Sequence, residues 1–137
     1  MKPRWPEPAA GDIVWWHFPD CVKPRAKPRP ALVLRVIENP GGPVTVQVAY
    51  GTSRRTITLY RGEFAILRSG GEAAFLSAGL SMDTKFDLSQ LAALPYNSDW
   101  FSVPPAAPCG QTPKLGSLHP SLVHSLAAAY RGTLEER

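Results

Sequence analysis

Residues 44–50 (VTVQVAY) put Val44, Val46, Val48 and Tyr50 on one side of the chain and Thr45, Gln47 and Ala49 on the other. Such alternation marks a pleated strand, in which successive side chains point to opposite faces. Asn39-Pro40-Gly41-Gly42-Pro43 directly before it is a turn signal, and the apolar run 31–37 (ALVLRVI) before that reads as a buried strand. A β-branched and aromatic run, 12–18 (DIVWWHF), follows Gly11. Three strands within fifty residues, joined by one long loop and one turn, predict an antiparallel meander.

Residues 55–60 and 63–67 read as further strands, 72–77 as one or two helical turns, 83–88 as a strand and 104–113 as a Pro-rich connection. Leu118, Leu122, Val123, Leu126 and Tyr130 share one helical stripe. Pro120 suits its first turn, Ser117 or His119 its cap and Gly132 its C′ position. The expected fold is mainly β with a C-terminal α-helix at about 119–131: a small, strongly curved sheet or barrel in one domain over 11–137. An irregular, basic and Pro-rich lead-in occupies 1–10. With 15 Pro and 11 Gly in 137 residues, the chain is turn-rich without having the composition of a disordered one.

The formal charge of +4 is unevenly divided. Residues 1–68 hold 11 Lys/Arg against 5 Asp/Glu, whereas 69–137 hold 4 against 6. A polyanion partner is therefore to be sought in the first half. No apolar stretch approaches the roughly 18 residues of a membrane span, and the first residues lack a signal-peptide core. A cytoplasmic protein without membrane association is expected. Cys21 and Cys109 are isolated, and the chain has no phosphate-binding glycine loop and no nucleophile elbow. No metal and no cofactor are expected.

Four cations, Lys23, Arg25, Lys27 and Arg29, fall within seven residues (KPRAKPR). Proline keeps such a loop extended and its charges apart, which suits it to track a phosphate backbone. A solvated linker and a Pro-rich peptide ligand are the other readings. Arg29 differs because it opens a strand, where a rigid element fixes its guanidinium. A second cluster, Gly51-Thr52-Ser53-Arg54-Arg55, offers close backbone approach, two hydroxyls and two guanidiniums to a phosphate or a ribose 2′-OH. A plain turn uses the same residue types. On the first strand, Val14, Trp16 and Phe18 form the more apolar face and are assigned to the core. Ile13, Trp15 and His17 are then left for a subunit partner, a stacked base or the underside of a loop.

Gly11-Asp12-Ile13-Val14-Trp15, an intervening loop, Arg29-Pro30-Ala31-Leu32-Val33-Leu34 and an alternating strand ending in Thr52-Ser53 resemble, in order and spacing, the PemK/MazF family. These are the toxins of bacterial type II toxin–antitoxin modules. Gly116-Ser117-Leu118-His119-Pro120 leading into an amphipathic helix is similar to that family's end. The likeness covers roughly residues 10–55 and 115–130. It implies an SH3-like barrel, a homodimer, and metal-independent cleavage of single-stranded RNA such as mRNA at short sequences. Growth inhibition would be relieved by a cognate antitoxin.

On this resemblance, Arg29 matches the strand-opening Arg that acts on the scissile phosphate, and Thr52 or Ser53 matches the hydroxyl that completes the site. Lys23, Arg25, Lys27, Arg54 and Arg55 would bind RNA around them. If the adjacent 2′-OH attacks phosphorus, charge develops on the non-bridging oxygens, and a fixed guanidinium donates two bonds to them. A guanidinium has no acceptor, so it stabilises charge and takes no proton. The chain departs from the family in having Lys-Pro-Arg-Ala-Lys-Pro where relatives carry a Gly-containing segment with acidic or His residues. It also has Ser81 where an acidic pair would stand before Asp87. His17, Asp83 and Lys85 are the candidates for the general base. The alternatives are a non-catalytic SH3-like module that binds nucleic acid, or one that docks a protein through Trp15 and the basic loop.

Overall fold

The computed structural model describes residues 5–17 and 27–134. Six strands form one antiparallel sheet, curled into a half-barrel: β1 (Asp12–Trp16), β2 (Arg29–Ile37), β3 (Thr45–Thr52), β4 (Glu63–Ile66), β5 (Thr84–Pro95) and β6 (Lys114–Ser117). Their order across the sheet is β4-β5-β3-β2-β1-β6. A short helix, α1 (Glu72–Ser77), lies between β4 and β5 in sequence, and α2 (Val123–Leu134) closes the chain. Among the described residues no helix is long and apolar enough to cross a membrane.

The meander is present as expected, with Ile13 opposite Leu32 and Leu32 opposite Ala49. The alternation of β3 sorts its side chains into two apolar layers. Val46 and Val48 join Val14, Trp16, Ala31 and Phe101 in one, while Ala49 joins Ile13, Leu32, Phe64, Phe75 and Phe86 in the other. Burial on both faces stabilises the central strands by roughly 0.8 kcal/mol per methylene removed from water.

Several expectations are corrected. The Ile13 side of β1 is not an open surface: Ile13 is wholly buried and Trp15 packs half-buried against the same layer. Its cover comes from Phe75 of α1, Phe64 of β4 and Phe86 of β5, all distant in sequence. Residues 55–60 form a loop in place of a strand, with Arg55 at φ +50° and the Thr58 amide donating to the Arg55 carbonyl at 3.1 Å. β5 continues past 88 to Pro95 because its second half pairs with β3, Leu94 opposite Val46. β6, which follows the Pro-rich connection, pairs with β1, Asp12 opposite Ser117. The α1–β6 approach is tight, since a Cβ on Gly116 would run into the Ser77 carbonyl.

A single 3₁₀ turn (Pro120–Leu122) precedes α2, and His119 caps it, its Nδ1 accepting from the Ser121 amide at 3.1 Å. The helix runs through Gly132, which is therefore not its C′ residue. A Cβ at Gly132 would meet Arg61 Cγ at 3.2 Å, so this glycine admits the neighbouring loop. Leu118, Leu122 and Leu126 pack on the core as the stripe predicts, whereas Val123 and Tyr130 stay exposed. Those two line a groove of about 440 Å³ against Leu34 and Leu88.

Candidate nucleic-acid interface

Antiparallel pairing puts the ends of β1, β3 and β4 beside the starts of β2 and β5. One end of the sheet therefore gathers His17, Lys27 and Arg29, residues 52–55 and residues 83–85. These include every described residue that the sequence marks for function. Lys23 and Arg25 lie outside the described residues.

The closest relationship is between Arg29 and Thr52. The β2–β3 pairing reaches Ala31 opposite Tyr50, and Arg29 and Thr52 each lie two residues beyond it, at the same end of these neighbouring strands. Gly51 lets the strands approach closely here, because a Cβ on it would lie 2.9 Å from the Pro30 carbonyl and 2.8 Å from Thr84 Cγ2. Arg29 and Thr52 are thus neighbours across adjacent strands at this end of the sheet. Arg29 is exposed and Thr52 half-buried. The Thr52 Oγ1 accepts from the Arg54 amide at 3.2 Å, which fixes the oxygen and leaves its hydrogen to donate.

The surroundings are cationic. Lys27, Arg29, Arg54 and Arg55 are exposed, and among the described residues none of the four is in an ion pair. Ser53 is exposed beside them. On the same face, Trp16 stacks on Tyr50 with centroids 4.2 Å apart, made possible by the small Ala31 on the strand between them. Burial pushes the Tyr50 phenol above its ordinary range, keeping it neutral.

The remaining candidates are differently placed. Lys85 stands opposite Thr52 on β5, yet its ammonium is spent inward. It pairs with Glu63 at 3.0 Å, donates to the Thr58 carbonyl at 3.0 Å and is only 6% exposed. Asp83 accepts from the Arg68 amide at 2.8 Å and so anchors a neighbouring turn. His17 follows β1 on the pleat parity of Ile13 and Trp15, opposite to Trp16 and Arg29. Its amide donates to the Trp100 carbonyl at 2.8 Å. Among the described residues no three His, Cys, Asp or Glu side chains converge as a metal site would require.

Glu63, Tyr50 and Tyr60 were not marked by sequence. The available signal is the aromatic set among cations in Arg54-Arg55-Thr56-Ile57-Thr58-Leu59-Tyr60-Arg61. No protein-family model matches the chain, and no curated protein matches it.

Proposed function

We propose that the chain binds single-stranded RNA at this end of the sheet and cleaves it, as a toxin of the PemK/MazF type on an SH3-like barrel. The observation that carries the reading is the placement of Arg29 and Thr52 on adjacent strands at one end of the sheet, where Lys27, Arg29, Arg54 and Arg55 are exposed and, among the described residues, in no ion pair. Lys27, Arg54 and Arg55 would neutralise neighbouring phosphates and release their counterions. Arg29 would hold the scissile phosphate. As the ribose 2′-oxygen gives its proton to water and bonds to phosphorus, the bond to the 5′-oxygen breaks, that oxygen takes a proton from water and a 2′,3′-cyclic phosphate is left, while the guanidinium donates to the non-bridging oxygens. The Thr52 hydroxyl adds a donor from the next strand, and Ser53 is the alternative in the following position. Growth inhibition, relief by a cognate antitoxin and assembly as a homodimer belong to the same proposal and rest on the family resemblance.

A second reading is a module of the same fold that binds RNA without cutting it. It is favoured by the engagement of Asp83 and Lys85, which leaves neither facing Arg29 as a free base. Expression of the wild type and Arg29→Ala in bacteria separates the two. A toxin arrests growth only as the wild type, whereas equal growth of both strains removes the cleavage reading.

A further inference from the structure

Resting on the RNA reading above, we propose that Tyr60 is a nucleobase-stacking platform and that the buried Lys85–Glu63 pair holds it beside the Arg29–Thr52 site. The loop after Thr52 exposes an unusual amount of apolar surface: Ile57 is 86% exposed, Leu59 50% and Tyr60 62%. Exposed apolar side chains of this size cost solubility unless they meet something. The loop is nevertheless anchored. Glu63 Oε1 accepts from the Tyr60 amide at 2.8 Å and from Lys85 Nζ at 3.0 Å. The same ammonium holds the Thr58 carbonyl and lies 5.3 Å from the centre of the Tyr60 ring. One buried ion pair thus fixes two points of the loop and one face of the ring.

The chemistry of the occupant follows from the neighbours. Arg54 and Arg55, both exposed, directly precede the loop, so positive charge adjoins the apolar surface along the chain. Lys85 is opposite Thr52 on β3, and Arg29 opens β2 beyond it, so the backbone that carries this ammonium stands about two strand spacings, ~10 Å, from the strand that carries Arg29. A ligand that is anionic at regular intervals and aromatic between them fits this alternation. Single-stranded RNA is such a ligand, and stacking on an aromatic side chain tolerates any base. An acidic protein segment fits the charge but has no need of a π-face.

Binding of a short 2′-O-methyl oligouridine, which lacks the attacking hydroxyl, measures the contribution without cleavage. Tyr60→Ala should weaken binding roughly 5- to 100-fold, the range of one base–aromatic stack, while leaving the salt slope unchanged. Tyr60→Phe, which keeps the π-face, should bind like the wild type. An abasic oligonucleotide should bind the wild type and Tyr60→Ala equally. Equal oligouridine affinity of wild type and Tyr60→Ala overturns the inference while the RNA reading stands, as does an equal loss on the abasic strand. A wild type that fails to bind oligouridine even at low salt overturns both.

Discussion

Lys85 Nζ lies 3.0 Å from Glu63 Oε1, with the two side chains 7% and 12% exposed. A cation two strands away from Arg29 is thereby neutralised, whereas Lys27, Arg29, Arg54 and Arg55 keep their charge exposed at this end of the sheet. Removing one partner of such a pair strands the other charge in a low-dielectric site. Lys85→Met should cost about 3 kcal/mol in urea unfolding. Adding Glu63→Gln, which removes the stranded charge yet keeps an oxygen for the Tyr60 amide, should recover part of that loss. Equal stability of Lys85→Met and the wild type would show the pair to be solvated.

Phosphate contacts are read out by salt. Each exposed cation that meets a phosphate contributes about 0.7 to the slope of log K against log salt for a single strand. Arg54→Ala and Arg55→Ala should each lower the slope of oligouridine binding by that amount. Arg35→Ala should not, since Arg35 lines the groove beside Leu34 and Leu88, away from this end. The reverse pattern would place the nucleic acid at α2.

Gly51 allows β2 and β3 to close beneath the site. Gly51→Ala brings a methyl to within 2.8 Å of Thr84 Cγ2 and 2.9 Å of the Pro30 carbonyl, and the latter is backbone that cannot swing aside. Overpacking of this kind costs roughly 1–3 kcal/mol. Any residual folded protein should also lose RNA affinity, because Arg29 moves relative to Thr52. A fully stable Gly51→Ala would contradict this close approach of β2 and β3 at the site.

Alkaline pH should destabilise the fold through Tyr96. Burial pushes its phenol up to about 12, and the Asp12 carboxylate adds to the rise against a hydrogen bond with Thr112. In the unfolded chain the phenol ionises near 10. The contribution is therefore whole below pH 10 and is lost as pH rises from 10 towards 12, by about 2 kcal/mol. In denaturant titrations across that window the wild type should lose stability relative to Tyr96→Phe by about that amount, and parallel curves would assign the loss elsewhere.

The legible and illegible parts of this protein divide by the range of the interaction. The alternation of Val44 to Tyr50 and the turn before it are local, and they yield the meander and the position of Arg29 at a strand start. The loop at 55–60 is misread because Thr56-Ile57-Thr58-Leu59-Tyr60 alternates like a strand, whereas Arg55 turns left-handed and Lys85 captures the Thr58 carbonyl from another strand. β6 is too short to declare itself, and Gly116 weakens it further; only its pairing with Asp12 and Ile13 makes it a strand. Which side of β1 is covered depends on Phe64, Phe75 and Phe86, so Ile13 alone cannot tell. The site follows the same division. Arg29, Thr52 and Arg54 can be named from sequence, but the inward turn of Lys85 requires the β4–β5 register that brings Glu63 to it.

Incubation of the purified chain with a defined single-stranded RNA, followed by mapping of the new ends, tests the central claim most directly. Discrete cuts are expected from the wild type, persisting in EDTA, and a loss of about 10²–10³-fold is expected for Arg29→Ala, the effect of removing one preorganised donor from developing charge. Intact RNA with the wild type, or equal cutting by Arg29→Ala, would contradict it.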